Sequence, residues 1–272
     1  MTTAAIQLAI SDERYLELIR NAIRVCLKYK PAFGRGKGDG VSLERFQQIY
    51  REDEFYSWFG LDSPLVYAAH KAAGGMTSVY RQIGLGCQVV FQCALQDTLG
   101  LTAIDSVWSY IVKVKGAKAR TLALDGRIPL NKISNAAARK RVDKWLTEAA
   151  GNVGLKGKPA AGLEGCVFEV RQGYKSNDAK RQNADVANAA NAFANRYLPV
   201  MLLLSEQIPA NLADRYQRAQ WLILRGTTSG KSTDSTYAFC REVLGYDLAG
   251  FFRHNSDAIK DETLAVFEGL LR

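Results

Sequence analysis

The amino-acid sequence predicts an α/β protein in which helices flank a mixed β-sheet, with an additional helical region at the N-terminal end. Two observations support this fold class. Apolar residues in the first 70 positions recur at near-helical spacing, as at Tyr15, Ile19 and Ile23. Beyond residue 106 the period changes, and runs rich in β-branched and aromatic residues alternate with Ala-rich segments. We therefore expect a helical N-terminal region over residues 1–75 and a core with C-terminal helices, forming one compact unit, over residues 76–272.

The N-terminal region contains two features that interrupt its helical pattern. Residues 34–40 are rich in glycine and lack the strand and the Gly-Lys-Ser/Thr ending of a phosphate loop, so we interpret them as a linker. Residues 55–59 form the aromatic run Phe-Tyr-Ser-Trp-Phe. Core packing is the expected role of this run, and a dimer contact or a DNA-facing wedge are the alternatives.

The core should begin with a helix over residues 76–99, where Val79, Ile83, Val90 and Leu99 share one broad face. Residues 107–114 and 120–124 alternate like strands around a turn at 115–118, which predicts a hairpin. The remaining expected elements are a helix at 135–150, a strand at 166–171, a helix at 179–196 capped by Asn177 or Asp178, a strand at 199–205, a helix at 210–219, a strand at 221–224, a polar loop at 227–235, and helices at 235–245 and 256–271.

The composition excludes several classes of protein. The chain has 272 residues and is 47% apolar and 23% charged, which is typical of a folded globular protein. Its longest apolar runs are far shorter than the roughly 20 residues that span a bilayer, and no secretory signal is visible, so we expect a cytoplasmic protein. Five cysteines without a Cys-x-x-Cys pair, and only two histidines, disfavour structural zinc and Ser-His-Asp catalysis.

Positive charge is concentrated in one segment. From residue 111 to residue 181 there are 16 Lys and Arg against six Asp and Glu, a net +10 in a chain whose total is +9. Diffuse solubility charge would be spread more evenly, so we expect a polyanionic partner such as nucleic acid.

Three residues in this segment could carry chemistry. Glu169 and Arg171 are two positions apart on a predicted strand, so both side chains leave the same face. Asp125 ends another predicted strand immediately before a glycine. Two carboxylates beside a cation can hold a divalent metal against a phosphodiester. The alternatives are a same-strand ion pair for Glu169 and Arg171, and a hairpin turn at Asp125-Gly126.

The element order helix, three strands, helix, strand, with an Asp ending the second strand and Glu-x-Arg in the third, resembles the PD-(D/E)XK nucleases, and the chain's size resembles type II restriction endonucleases. The resemblance covers about residues 76–205. It implies a restriction-endonuclease-like core, Mg²⁺ as cofactor, Asp125 and Glu169 as metal-binding catalytic acids, and Arg171 at the position usually held by lysine. Leu124 replaces the motif's proline, and 43 residues separate the acids, which requires the inserted helix at 135–150.

Arginine cannot lose its proton, so Arg171 would act as an electrostatic and orienting group, and Lys175 or Gln172 are the fallback candidates for the lysine role. We expect phosphate contacts from Gln172, Lys175, Lys180, Arg181, Arg139, Arg141 and Lys231. For the predicted basic helix at 135–150, a solvated face is the alternative interpretation.

Residues 221–233 resemble a strand followed by a phosphate loop, but three residues lie between the glycines where the Walker pattern needs four, which disfavours an NTPase. The sequence thus predicts a Mg²⁺-dependent endonuclease that cuts double-stranded DNA. The resemblance further implies a homodimer, a cognate DNA methyltransferase in a prokaryotic host, and a short recognition site. The main alternative is a DNA-binding protein without catalysis that uses the same basic surface.

Overall fold

The computed structural model describes residues 3–33, 40–112, 120–155, 157, 162–174 and 179–271. These residues form two compact units. The terminal unit comprises Met1–Cys87 and His254–Arg272, and the central unit comprises Gln88–Arg253. Within the described residues, every helix is too short or too polar to cross a membrane.

The helices, in chain order, are α1 (Thr3–Arg24), α2 (Leu43–Arg51), α3 (Glu54–Trp58), α4 (Pro64–Leu99), α5 (Ala136–Asn152), α6 (Ala179–Ala194), α7 (Ala210–Arg218), α8 (Thr236–Phe239), α9 (Leu248–His254) and α10 (Ser256–Leu271). Single turns of 3-10 helix occupy Val25–Lys28 and Leu130–Lys132, and a π-helical turn occupies Cys240–Leu244. The strands are β1 (Trp108–Val112), β2 (Arg120–Leu124), β3 (Gly126–Pro129), β4 (Gly165–Arg171), β5 (Tyr197–Leu203) and β6 (Leu222–Leu224).

The terminal unit is helical and includes both ends of the chain. Helix α10 packs against α1, where Glu262 pairs with Arg20 and Arg24. Tyr15, Ile19 and other residues of α1 bury their side chains in this unit. The structure therefore groups α10 with the N-terminal helices, whereas the sequence-based division placed it with the core.

The aromatic run at residues 55–59 does not pack in a core, so that prediction is wrong. Phe55, Trp58 and Phe59 are 58%, 76% and 66% exposed. Helix α3 has only five residues, and its contact with α2 is made by Tyr56, which stacks on Tyr50 with ring centroids 4.8 Å apart. A single helical turn cannot bury side chains that leave it in several directions.

The central unit contains two sheets. Strands β1 and β2 form an antiparallel pair, with Trp108 opposite Leu124. The second sheet has the order β3-β4-β5-β6, in which β3 is antiparallel to β4 while β4, β5 and β6 are parallel. The protein is thus α/β with a mixed sheet, as the sequence predicted. Strands β4 and β5 are the two central strands and are therefore buried along nearly their whole length.

Alternate residues of β4 face two different layers. On one face, Phe168 contacts Phe91 of α4 and Phe239 of α8, with ring centroids 5.1 and 5.6 Å apart. On the other face, Val167 joins a buried cluster that includes Trp108 and Tyr216. Glu169 and Arg171 share the parity of Val167, so the strand directs them toward this second layer.

Most predicted elements are confirmed within a few residues, including the hairpin and the strands at 166–171, 199–205 and 221–224. Strand β3 was not predicted. The glycine-rich residues 34–39, the turn at 115–118 and the proposed caps Asn177 and Asp178 lie outside the described residues.

Candidate active site

Asp125 lies at a bend between two strands. Strand β2 ends at Leu124 and pairs with β1, whereas β3 begins at Gly126 and pairs with β4. The Asp125 carbonyl accepts a hydrogen bond of 2.6 Å from the Gln92 side chain, and its carboxylate Oδ2 accepts one of 2.8 Å from the backbone N–H of Val170. Hydrogen bonds therefore fix both the backbone carbonyl and the side-chain carboxylate of Asp125, and the carboxylate is directed to β4.

The alternative of a hairpin turn at Asp125-Gly126 is wrong. Gly126 is the first residue of β3, which continues to pair with β4 rather than folding back on β2. A Cβ atom at this position would lie 3.1 Å from Cε1 of Phe91 on α4. Glycine is therefore favoured here by the close approach of a helix to the strand.

The pairing of β3 with β4 brings Glu169 next to Asp125. Gly126 lies opposite Phe168, so Asp125 occupies the next antiparallel position, facing Glu169. Glu169 is only 7% exposed, and its Oε1 forms an ion pair with Nη2 of Arg171. Asp125, Glu169 and Arg171 are thus brought together from positions far apart in the chain.

Asp185 of α6 completes the cluster, and the sequence analysis did not identify it. It is 2% exposed, and its Oδ1 lies 3.4 Å from Nη2 of Arg171. Its Oδ2 accepts a hydrogen bond of 2.6 Å from the hydroxyl of Tyr216. The indole N–H of Trp221 donates to the Asp185 backbone carbonyl at 3.1 Å, so the helix is also fixed at this residue.

A sequence signal for Asp185 does exist. Ala189 and Ala192 are buried on α6, and Asp185 precedes them by four and seven residues, on the same face of the helix. An acid within a stripe of buried small residues requires a partner, because an isolated buried charge is strongly unfavourable.

The acids around Arg171 raise its pKa despite burial. Burial acts to lower the pKa of Arg171, but the negative charges of Glu169, Tyr174 in its ionised form, Asp185 and Asp125 outweigh burial and leave this pKa raised. Within the described residues, the buried Nε of Arg171 has no hydrogen-bond partner. The guanidinium is thus a permanent cation with one donor still available.

Two tyrosines extend the network. The Tyr174 hydroxyl donates to the Tyr216 oxygen at 3.1 Å, and Tyr216 in turn donates to Asp185. Burial raises the pKa of Tyr174 to about 12, so it stays neutral at physiological pH. Burial and the hydrogen bond to Asp185 likewise raise the pKa of Tyr216.

The donor set is compatible with Mg²⁺. Mg²⁺ prefers carboxylate oxygens and is commonly held by one or two carboxylates together with substrate phosphates. Asp125 and Glu169 are the residues that would hold it. Among the described residues there is no group of three or more His, Cys, Asp or Glu side chains placed to hold a metal ion by themselves.

The predicted phosphate contacts lie in several places. Gln172 directly follows β4, and its carbonyl accepts from the Ser205 N–H at 2.9 Å. Lys175 lies outside the described residues, as do the side chains of Lys180 and Arg181, whose backbones are in the first turn of α6.

The other three predicted contacts are exposed. Arg139 and Arg141 lie on α5, where Nε of Arg141 donates to the Val243 carbonyl at 3.2 Å. Lys231 lies in the polar loop after β6, and its carbonyl accepts from the N–H groups of Asp234 and Ser235, both at 2.9 Å. Arg141 therefore has a structural contact, whereas the ammonium of Lys231 lies at the surface.

Asp125, Glu169, Arg171 and Asp185 form a polar cluster against an otherwise apolar layer of the central unit. Of its three acids, Glu169 lies on β4, Asp125 lies at the bend between β2 and β3, and Asp185 lies on α6. The comparisons with family models, curated proteins and solved structures found nothing that matches this chain.

Proposed function

We propose that this protein is a Mg²⁺-dependent endonuclease that hydrolyses phosphodiester bonds of double-stranded DNA. One observation carries the proposal: the register of β3 on β4 and the hydrogen bond from Val170 to Asp125 bring Asp125 opposite Glu169. The resemblance to PD-(D/E)XK nucleases implies this pair of acids at adjacent strands, with a cation two residues after the second acid.

Each residue has a role that follows from its contacts. Asp125 and Glu169 would hold the Mg²⁺, which when bound supplies a water of lowered pKa and neutralises charge on the phosphate. Arg171 is a fixed cation, 16% exposed, that would stabilise negative charge on the phosphate. Asp185, whose Oδ2 accepts from the Tyr216 hydroxyl, positions Arg171 by accepting from Nη2.

The basic segment supports a DNA substrate. Exposed cations on α5, among them Arg139, Lys140 and Lys144, are suited to contact the phosphate backbone. Type II restriction activity, a homodimer and a cognate methyltransferase in a prokaryotic host belong to the same proposal and come from the resemblance alone.

A DNA-binding protein without catalysis is the second candidate, and one observation favours it. Glu169 and Arg171 are mutually paired, and both side chains are largely buried, at 9% and 16% exposure. A pair of this kind can be a purely structural element of a half-buried sheet. In that case the basic segment alone would carry the function.

Plasmid cleavage separates the two candidates. Purified protein with Mg²⁺ should convert a plasmid to discrete fragments, and EDTA or Glu169→Ala should abolish this conversion. Glu13→Ala, which removes an exposed acid in the terminal unit, should leave cleavage intact. A gel shift without cleavage would favour the DNA-binding protein, and neither cleavage nor a shift would contradict both candidates.

A further inference from the structure

A cleft of about 460 Å³ lies at the edge of the four-stranded sheet. Strand β6 is the last strand of that sheet and forms one wall with apolar side chains, together with Trp221. Asn152 at the end of α5 and Gln217 near the end of α7 contribute amide groups. The loop that follows β6 closes the remaining side.

Among the described residues, one buried hydroxyl in this cleft has no hydrogen-bond partner. Thr233 lines the cleft and is only 1% exposed, and within the described residues its Oγ1 makes no hydrogen bond. Buried polar groups in folded proteins are nearly always hydrogen-bonded, so an unsatisfied hydroxyl at a cleft wall is a point at which a bound molecule would supply the missing partner.

Two opposite charges in the cleft are not paired with each other. Arg225 and Asp234 both line it, and their backbones are joined by a hydrogen bond of 2.7 Å from Arg225 N–H to the Asp234 carbonyl. In the described part of the chain, neither the guanidinium nor the carboxylate forms an ion pair or a side-chain hydrogen bond. Each is therefore available to a ligand.

The charge pattern excludes simple ions as the best ligand. An anion would be repelled by Asp234 and by the C-terminal ends of α5 and α7, which carry partial negative charge. A cation would be repelled by Arg225. The cleft instead suits a molecule with one donor edge, one acceptor edge and an apolar body that can contact Trp221 and β6.

We propose that this cleft binds a guanine base. Guanine presents two adjacent acceptors, O6 and N7, to which an arginine such as Arg225 can donate with two N–H groups. Its N1–H and N2–H₂ donors can both reach one carboxylate, the role of Asp234. Thr233 and the two amides would complete the polar contacts, and the ring faces would contact the apolar wall.

The guanine proposal is independent of the nuclease proposal, because Asp125, Glu169 and Arg171 do not line the cleft. The same chemistry could come from a free nucleotide or from a guanine in single-stranded DNA. Calorimetry on the full chain without Mg²⁺ should therefore use GMP, AMP and CMP, and then short oligonucleotides that differ only in one central base.

The expected result is at least 10-fold tighter binding of GMP than of AMP or CMP, or the same preference for the guanine-containing oligonucleotide alone. The first outcome identifies a free nucleotide as the source, and the second identifies DNA. Asp234→Asn should weaken guanine binding at least 10-fold, and Thr233→Val should weaken it less. Asp214→Asn, which changes an exposed acid of α7 outside the cleft, should have no effect.

Equal binding of all bases, absence of binding to every probe, or unchanged guanine binding in Asp234→Asn would overturn the proposal. If Asp234→Asn lowers the thermal unfolding midpoint markedly, Arg225→Lys provides the second test. This variant keeps the charge and removes the two-pronged donor, so it should weaken guanine binding and leave the binding of AMP unchanged.

Discussion

The two units each contain a charged cluster, and the clusters differ in composition and burial. In the terminal unit, two acids, Glu262 and Glu17, pair with Arg20 and Arg24, whose side chains are 32% and 41% exposed. In the central unit, one cation, Arg171, is 16% exposed and lies among the acids Glu169, Asp185 and Asp125.

This difference separates a structural cluster from a candidate functional one. Both carboxylate oxygens of Glu262 accept hydrogen bonds from guanidinium groups, so its charge is fully compensated. Around Arg171 the acids outnumber the cation, and the buried Nε–H is unsatisfied among the described residues. Excess buried negative charge suits a metal ion, whereas the Glu262 cluster requires no ligand.

The largest difference in stability between the two clusters is expected when an arginine is removed from each. Arg171→Ala leaves two buried acids without their cation and should destabilise the central unit by about 3 to 5 kcal/mol. Arg24→Ala should cost much less, because Arg20 still contacts Glu262. Urea unfolding followed by tryptophan fluorescence measures the first effect, because Trp108, Trp145 and Trp221 are all buried in the central unit. Equal effects of the two variants would contradict the contrast between the clusters.

A smaller destabilisation is expected when the hydroxyl next to Asp185 is removed. Tyr216→Phe deletes a donor to a buried carboxylate and should cost about 1.5 to 3 kcal/mol. Tyr174→Phe deletes a bond between neutral hydroxyls and should cost about 0.5 to 1.5 kcal/mol. The same fluorescence titration ranks the two variants. A larger loss of stability in Tyr174→Phe than in Tyr216→Phe would contradict the assignment of the stronger hydrogen bond to Tyr216 and Asp185.

The cluster in the terminal unit should respond to pH. Hydrogen bonds and charge from Arg24 and Arg20 hold the pKa of Glu262 below its ordinary value. The ion pairs therefore stabilise the fold above the unfolded pKa of about 4.3, and this contribution is lost as pH falls through the lower folded pKa. Glu262→Gln should be less stable than the wild type at pH 7, and the difference in stability should shrink as the pH falls below about 4.3. Hydrogen exchange of α1 and α10 measures the difference, and a difference independent of pH would contradict this assignment.

The smallest effect is expected from the exposed cations of α5. Removing one cation that binds a phosphate should reduce the slope of log binding constant against log salt by about 0.9. Arg139→Ala combined with Lys144→Ala should therefore flatten this slope, whereas Lys260→Ala on α10 should not. Filter binding of duplex DNA at several salt concentrations gives the slopes. An unchanged slope would contradict a phosphate contact by α5 and would favour the alternative that its basic face is simply exposed to solvent.

The sequence predicted the elements better than the junctions between them. Periodicity located β4, β5 and the hairpin because each has several residues of consistent pattern. It could not show that the chain continues from β2 through a bend at Asp125 into β3, since Asp-Gly is also a common hairpin turn. Only the pairing partner of Gly126, which is Phe168, distinguishes the two outcomes.

Within the candidate site, Asp125 and Glu169 were predicted from the sequence, whereas the contact between Asp185 and Arg171 could not be predicted, although the helical pattern marks Asp185 as a buried acid that requires a partner. Glu169 and Arg171 were identified because their spacing on a strand places both on one face. Asp185 contacts Arg171 only through the packing of α6 on the sheet, and a local pattern does not encode which helix meets which strand. The prediction that the aromatic residues of α3 pack in a core was wrong for the same reason. Residue type alone does not show whether another part of the protein packs against them.

The most direct test is a double-mutant cycle on DNA cleavage with Asp125→Asn, Glu169→Gln and both changes together. If the two acids hold one metal ion, each single variant should lose at least about 100-fold in Mg²⁺-dependent cleavage rate, and the double variant should lose little more than the worse single one. Circular dichroism spectra like that of the wild type would confirm that all three variants fold. Wild-type cleavage rates in either single variant, or losses that multiply in the double variant, would contradict a shared site at Asp125 and Glu169.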